Sequence, residues 1–220
     1  MKDAHTSLEG FDFSKFKGVL IDIDDTLYSY SLPHRSAVSE CFSMFINEFK
    51  APLAYEDFYS DYSKSRLAIT ELLKPQGSCR SRLFAFDMLF RSYGIKKSYN
   101  LANKYEDIYW KKFISEMKIN THALDFLKKC KHHDLLVCAV TDMQAHIQIQ
   151  KLKVLCVIDY IDFIASSEEA GAEKPNKKIF NLALQKMHLQ KQDVVMIGDS
   201  INKDIEGATS FGIEAIHFKA

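Results

Sequence analysis

Val19-Leu20-Ile21-Asp22-Ile23-Asp24-Asp25-Thr26-Leu27 is the stretch on which the reading of this chain turns. An apolar run rich in branched side chains stops at three carboxylates within four positions. Val19, Leu20, Ile21 and Ile23 read as a strand buried on both faces, with the acids emerging at its carboxyl end. In open parallel sheets that edge is where ligands bind. Like charges so crowded repel one another unless a proton or a cation offsets them. A hard divalent ion held by oxygen ligands does so, and a carboxylate beside such an ion is placed to act as a nucleophile.

Downstream of Leu27 the pattern changes. His34 to Phe49 carries Val38, Cys41, Phe42, Phe45, Ile46 and Phe49 on one helical face. Further helices are expected over Tyr55 to Leu73, Arg82 to Tyr93 and Tyr99 to Phe113, separated by Ala51-Pro52, Lys74-Pro75-Gln76-Gly77 and Gly94. From Ala123 onward helix and strand alternate. Helices over Ala123 to Cys130, Ala145 to Leu155, Asn176 to Met187 and Asn202 to Phe211 interleave with strands at Leu135 to Val140, Phe163 to Ala165, Val194 to Ile197 and Ile213 to Phe218. Such alternation with short loops predicts right-handed βαβ units in an α/β fold with a doubly wound parallel sheet. Residues 1–28 and 114–220 are expected to form that core, and residues 29–113 an inserted α-helical cap domain.

The composition narrows the function classes. With 220 residues, 47% of them apolar, the chain supports one sizeable core plus a smaller unit. Its 29 basic and 29 acidic side chains balance to zero, which argues against a nucleic acid polymer as partner. No apolar run is long enough to cross a membrane, and Met1 to Thr6 lacks the basic and apolar regions of a secretory signal. Cys41, Cys79, Cys130, Cys138 and Cys156 are odd in number and scattered, fitting neither a disulfide framework nor a zinc site. A cytoplasmic protein is expected.

Two more strands also end in polar residues, Thr141-Asp142 and Gly198-Asp199-Ser200, the latter running on to Asp204, and the stretch after the short strand at Phe163 leads to Lys174-Pro175. A parallel sheet gathers all these ends on one edge. The chemistry that wants such a set is phosphoryl transfer, which needs an in-line nucleophile, neutralised equatorial oxygens and a proton for the leaving oxygen. Asp22 is the expected nucleophile and Asp24 the acid/base. Asp22, Asp199 and the backbone carbonyl of Asp24 would hold Mg²⁺. Thr141, with Asp142 beside it, and Lys174 would bind the phosphate. Asp204 would tune Lys174 or a water on the metal.

These blocks resemble, in order and spacing, the four motifs of the haloacid dehalogenase-like hydrolase superfamily, from about Lys17 to Phe218. The helical insertion resembles the C1 cap of its subfamily I. The resemblance implies a Rossmann-like core, Mg²⁺ dependence, an aspartyl-enzyme intermediate and phosphatase activity on a small phosphorylated metabolite, such as a sugar phosphate or a nucleotide. It leaves monomer and homodimer open. One departure is Asp142-Met143, where many members carry Asn or Asp followed by Gly.

Alternatives on the same scaffold are a phosphomutase and a haloacid dehalogenase; outside enzymes, a phospho-receiver domain also uses an Asp, a Thr and a Lys. The family's dehalogenases lack an acid at the position of Asp24, and the helical insertion tells against a receiver. Any one of these signals alone is weak, since an Asp-x-Asp at a strand end more often marks a turn. Elsewhere bland roles are expected. His132-His133 would face a helix dipole, Glu168 and Glu169 would be solvated loop acids, and Trp110 would pack. His34, Arg35, Arg66, Arg80 and Arg82 in the insertion are candidate substrate contacts, with surface salt bridging the expected role.

Overall fold

The computed structural model describes residue 8 and residues 10–220; the N-terminal stretch assessed above for a secretory signal lies outside them. The chain divides into two compact units. One takes in the chain up to Ser29, Pro75–Gly77 and Lys118–Ala220, and the other Tyr30–Lys74 and Ser78–Met117.

The first unit is built on five parallel strands: β1 (Gly18–Ile21), β2 (Leu136–Thr141), β3 (Phe163–Ser166), β4 (Val194–Gly198) and β5 (Glu214–His217). Their order is β3-β2-β1-β4-β5, and every pairing is parallel. β1 and β4 are buried along their whole length, as strands covered on both faces must be. In the central register Leu20 stands opposite Cys138 on one side and Met196 on the other. Leu20, Cys138, Val140 and Met196 pack with Ile179, Phe180 and Ala183 of a helix to form the core on one face. This is the Rossmann-like α/β sheet that the alternation of strands and helices predicts.

The second unit is helical: α1 (Ser31–Phe49), α2 (Tyr55–Leu73), α3 (Arg82–Ser92) and α4 (Ser98–Ser115). Local signals fix several helix ends in both units. Ser81 Oγ accepts from the Phe84 N–H at the start of α3, and Asn120 Oδ1 accepts from His122 and Ala123 at the start of α5 (Thr121–His132). Asn176 does the same for α8 (Lys177–Met187), each side chain satisfying N–H groups that the first turn leaves unpaired. The unit's core is aromatic: Phe45 and Phe90 stack at 6.1 Å, and Phe90 meets Tyr105 edge-on at 4.8 Å.

Several expectations are corrected. β1 ends at Ile21, and buried Ile23 belongs to the following loop because Asp25 turns the chain in the left-handed region, at φ 61°. The expected last helix is split into a π-helical turn, Ile201–Glu206, and a short helix α9 (Gly207–Phe211). Glu168 and Glu169 lie in a short helix α7 (Ser167–Ala170), where Glu168 accepts from the Ala145 N–H at the start of α6 (Ala145–Val154). His34 and Arg82 are not surface salt-bridging residues. Arg82 is 3% exposed, donates to Tyr30 and to the Arg80 carbonyl, and lies over the Tyr109 and Trp110 rings. His34 is buried against Tyr109, and burial and the nearby arginines push it down to about 3. All five cysteines are free, Cys156 alone being exposed. Among the described residues no helix is long and apolar enough to cross a membrane.

Candidate active site

β1 sits between β2 and β4, so Asp22, one residue past β1, has the ends of both neighbours beside it. The chain winds from β1 to one side of the sheet and later returns to the other, and a reversal of that kind opens a crevice at the carboxyl edge. Asp22 extends the ladder by one bond, donating its N–H to the Ile197 carbonyl at 2.9 Å. The Leu27 N–H returns to the Ile23 carbonyl at 2.9 Å and closes the loop that carries the three acids.

Lys174 organises one half of this edge. Its ammonium donates to Asp22 Oδ1 at 2.5 Å and to the Val140 carbonyl at 3.0 Å, and pairs with Asp204 Oδ1 at 2.7 Å. Asp204 reaches it from the π-helical turn, whose extra backbone length also lets Oδ2 accept from the Ser200 N–H at 3.0 Å. Gly198 makes room: a side-chain carbon there would stand 2.7 Å from Asp204 Cβ. Asp22, Asp199 and Asp204 thereby bring carboxylate oxygens within 4.8 Å of one another.

The electrostatics of this group are unbalanced. Burial, then the charges of Asp204 and Asp24, push the Asp22 carboxyl well above the usual carboxylate range, against the pull of Lys174. Burial and the charges of Asp204 and Asp25 push Asp199 up to about 6. Burial alone would lower Lys174, but Asp22, Asp204 and Asp142 raise it. One ammonium, shared by Asp22 and Asp204, is thus set against the three carboxylates grouped here. An all-oxygen donor set in which carboxylates outnumber the ammonium beside them fits a hard divalent cation.

The other half is organised on α6. Asp24 Oδ1 takes a 2.6 Å bond from Lys151 and one from the Tyr28 hydroxyl, and Oδ2 takes one of 3.1 Å from Gln148 Nε2. Burial would raise Asp24, yet the Lys151 charge and these bonds hold it below its ordinary value. Gln148 Nε2 also donates to Thr141 Oγ1 at 2.5 Å.

The structure therefore brings Asp22, Asp199, Asp204 and Lys174 into one group and joins Asp24 to Thr141 in a second. Asp24's carboxylate is not in the acidic group; its expected metal contact was through the backbone carbonyl. Asp204, expected to act through Lys174 or a water, has an oxygen in the acidic group itself. The Asp142 carboxylate accepts from the Lys174 N–H at 2.7 Å and from Lys203 at 2.7 Å, so it braces the lysine loop. Sequence reasoning missed Tyr28, Gln148, Lys151 and Lys203. For two of them a signal existed: Gln148 and Lys151 fall on the same face of α6 as buried Ile147 and Leu152, where apolar residues belong.

Fold and edge together define a Rossmann-like α/β scaffold with acids gathered at the carboxyl edge of its sheet. The chain belongs to the haloacid dehalogenase-like hydrolase family, whose model matches residues 19–218. It is similar to a ribulose-1,5-bisphosphate 5-phosphatase of Halopiger xanaduensis, 28% identical over 91% of this chain and 83% of the relative. A glyceraldehyde 3-phosphate phosphatase of Methanopyrus kandleri is also 28% identical, over 92% of this chain and 84% of its own length. Among solved structures, a 2-haloacid dehalogenase of Pseudomonas syringae superposes with a TM-score of 0.76 at 20% identity, covering 92% of this chain and 86% of that one. At that identity the likeness concerns the fold alone.

Proposed function

We propose that the chain is a Mg²⁺-dependent phosphomonoesterase that hydrolyses a small phosphorylated metabolite, a sugar phosphate or a nucleotide, through an aspartyl-phosphate on Asp22. The observation that carries this reading is the Asp22, Asp199 and Asp204 group with Lys174 Nζ 2.5 Å from Asp22 and 2.7 Å from Asp204. The relatives named for ribulose-1,5-bisphosphate and glyceraldehyde 3-phosphate support the sugar phosphate class.

Asp22, Asp199 and Asp204 offer the side-chain oxygens for the ion, with the Asp24 carbonyl as a further ligand. Mg²⁺, when bound, supplies positive charge against the phosphoryl oxygens. Asp22 attacks phosphorus as the bond to the leaving oxygen breaks, and Lys174 and the Thr141 hydroxyl stabilise the equatorial oxygens. Asp24 protonates the departing alkoxide. It then takes a proton from the water that attacks the aspartyl-phosphate, which returns Asp22 as a carboxylate. In the free protein Lys151 and Tyr28 hold Asp24 in its ionised form, suited to the second step. The negative charge of an arriving phosphoryl group raises an adjacent carboxyl and favours the protonated form the first step needs.

The presence of an acid at position 24 favours this reading over a haloacid dehalogenase, which has no alkoxide to protonate. A phosphomutase would return the phosphoryl group to a bound sugar, so phosphate release against isomer formation separates the two. The test is release of inorganic phosphate from p-nitrophenyl phosphate and a panel of phosphorylated metabolites, with and without Mg²⁺. Mg²⁺-dependent release that Asp22→Asn abolishes is expected; release that persists in Asp22→Asn contradicts the reading.

A further inference from the structure

A lysine with no exposed surface sits on α6, three residues after a glutamine that is also fully buried. At that spacing the two side chains share one face of the helix. That face lies against the carboxyl edge of the sheet: Lys151 Nζ is 2.6 Å from Asp24 Oδ1, and Gln148 Nε2 is 3.1 Å from Asp24 Oδ2. Lys151 also lies over the Tyr28 ring, whose hydroxyl donates to the same Asp24 oxygen. Both Asp24 oxygens are thus tied from one direction.

Stability alone does not account for this pair. Desolvating an ammonium is costly, and a well-packed apolar residue in its place is often neutral or better. Ile147 and Leu152, buried on the same helix, show that the surroundings accept such residues. What an apolar residue cannot do is fix the direction of a carboxylate.

Gln148 carries a second constraint. Its amide oxygen facing Asp24 would set a partial negative charge against a carboxylate, so the nitrogen is the end that faces it. The two hydrogens of Nε2 then go to Asp24 Oδ2 and to Thr141 Oγ1, the latter at 2.5 Å. The amide oxygen accepts nothing among the described residues, so the side chain is placed for its nitrogen. Thr141 consequently accepts from Gln148, and its own hydroxyl proton is left for another acceptor.

We propose that Lys151 and Gln148 are positioning residues: Lys151 aims the Asp24 carboxyl at the leaving oxygen, and Gln148 turns the Thr141 hydroxyl into an obligatory donor to the phosphoryl group. The proposal rests on the phosphomonoesterase reading above. It assigns to one helix face the orientation of two groups, one acting on the leaving oxygen and the other on the equatorial oxygens of the transferred phosphoryl group.

The test uses aryl phosphates of one shape whose leaving groups differ in basicity, from p-nitrophenyl phosphate to phenyl phosphate. A nitrophenolate leaves without help, whereas phenolate needs a proton, so misplacing Asp24 penalises the second substrate selectively. For Lys151→Met, kcat/KM on phenyl phosphate is expected to fall at least about tenfold further than on p-nitrophenyl phosphate, with Lys151→Arg recovering part of the difference. For Gln148→Leu, competitive inhibition by inorganic phosphate should weaken about tenfold, the scale of one hydrogen bond to a charged group. Equal losses across the aryl series in Lys151→Met, together with unaltered phosphate inhibition in Gln148→Leu, would overturn the proposal. If Lys151→Met does not fold, Gln148→Leu decides, since it leaves no buried charge unpaired. A wild-type protein inactive on every aryl phosphate would refute the phosphomonoesterase reading itself; an active one with an unchanged leaving-group dependence in the variants refutes only the positioning role.

Discussion

Lys174 Nζ stands 2.5 Å from Asp22 Oδ1 although the two residues are 152 positions apart in the chain. The parallel sheet makes the meeting possible. β1 ends one residue before Asp22, and the lysine arrives on the loop that follows α7, held there by the Asp142 carboxylate on its N–H. One cation thereby touches two of the three acids grouped at the edge.

Removing that cation tests how much the acids depend on it. In Lys174→Met the buried carboxylates of Asp22 and Asp204 lose the ammonium they share, and breaking a buried pair from one side costs about 3–5 kcal/mol. Urea unfolding without metal should show a loss of that order. Mg²⁺ should return part of it, because a bound ion supplies the missing charge.

Asp199 sets a pH dependence. Its carboxyl is raised to about 6 from an ordinary value of 3.8, so between these values the folded protein binds more protons than the unfolded chain. The metal-free protein should therefore gain stability from this group as pH falls from 7 toward 4. Ion binding requires the carboxylate, so the Mg²⁺ midpoint should rise as pH drops through about 6. Thermal melts across that range, with and without Mg²⁺, should show opposite slopes. Parallel slopes would remove Asp199 from the ion site.

Gly198 is predicted to be intolerant. Alanine there puts a carbon 2.7 Å from Asp204 Cβ and closer still to its carboxylate. Overpacking of this kind costs about 1–3 kcal/mol. Because the atom displaced is a candidate ligand, Mg²⁺ affinity should fall together with stability, which calorimetric titration of the variant would report.

Much of this was legible in the sequence, and the exceptions have physical reasons. The strands declared themselves because burial on both faces demands continuous apolar runs, as in Val194 to Ile197. The four acids and Lys174 stood at the ends of such runs or in the loops that follow them. Two features escaped the reading of the sequence. The π-helical turn at Ile201–Glu206 depends on one extra residue in the backbone path, which leaves the residue pattern unchanged. Gln148 and Lys151 interrupt the apolar stripe of their helix, which marks them as buried, but the stripe does not reveal the tertiary partner that makes them functional. Arg82 was misread because its partners too are tertiary, its charge being buried over two aromatic rings.

The most direct test of the central claim is the mass of the protein caught during turnover. Wild-type protein mixed with p-nitrophenyl phosphate and Mg²⁺, then quenched in acid, should carry one added phosphoryl group. That group should map to the peptide containing Asp22 and be missing in Asp22→Asn. Steady phosphate release with no phosphorylated protein, or with the phosphoryl group on another residue, would contradict the account.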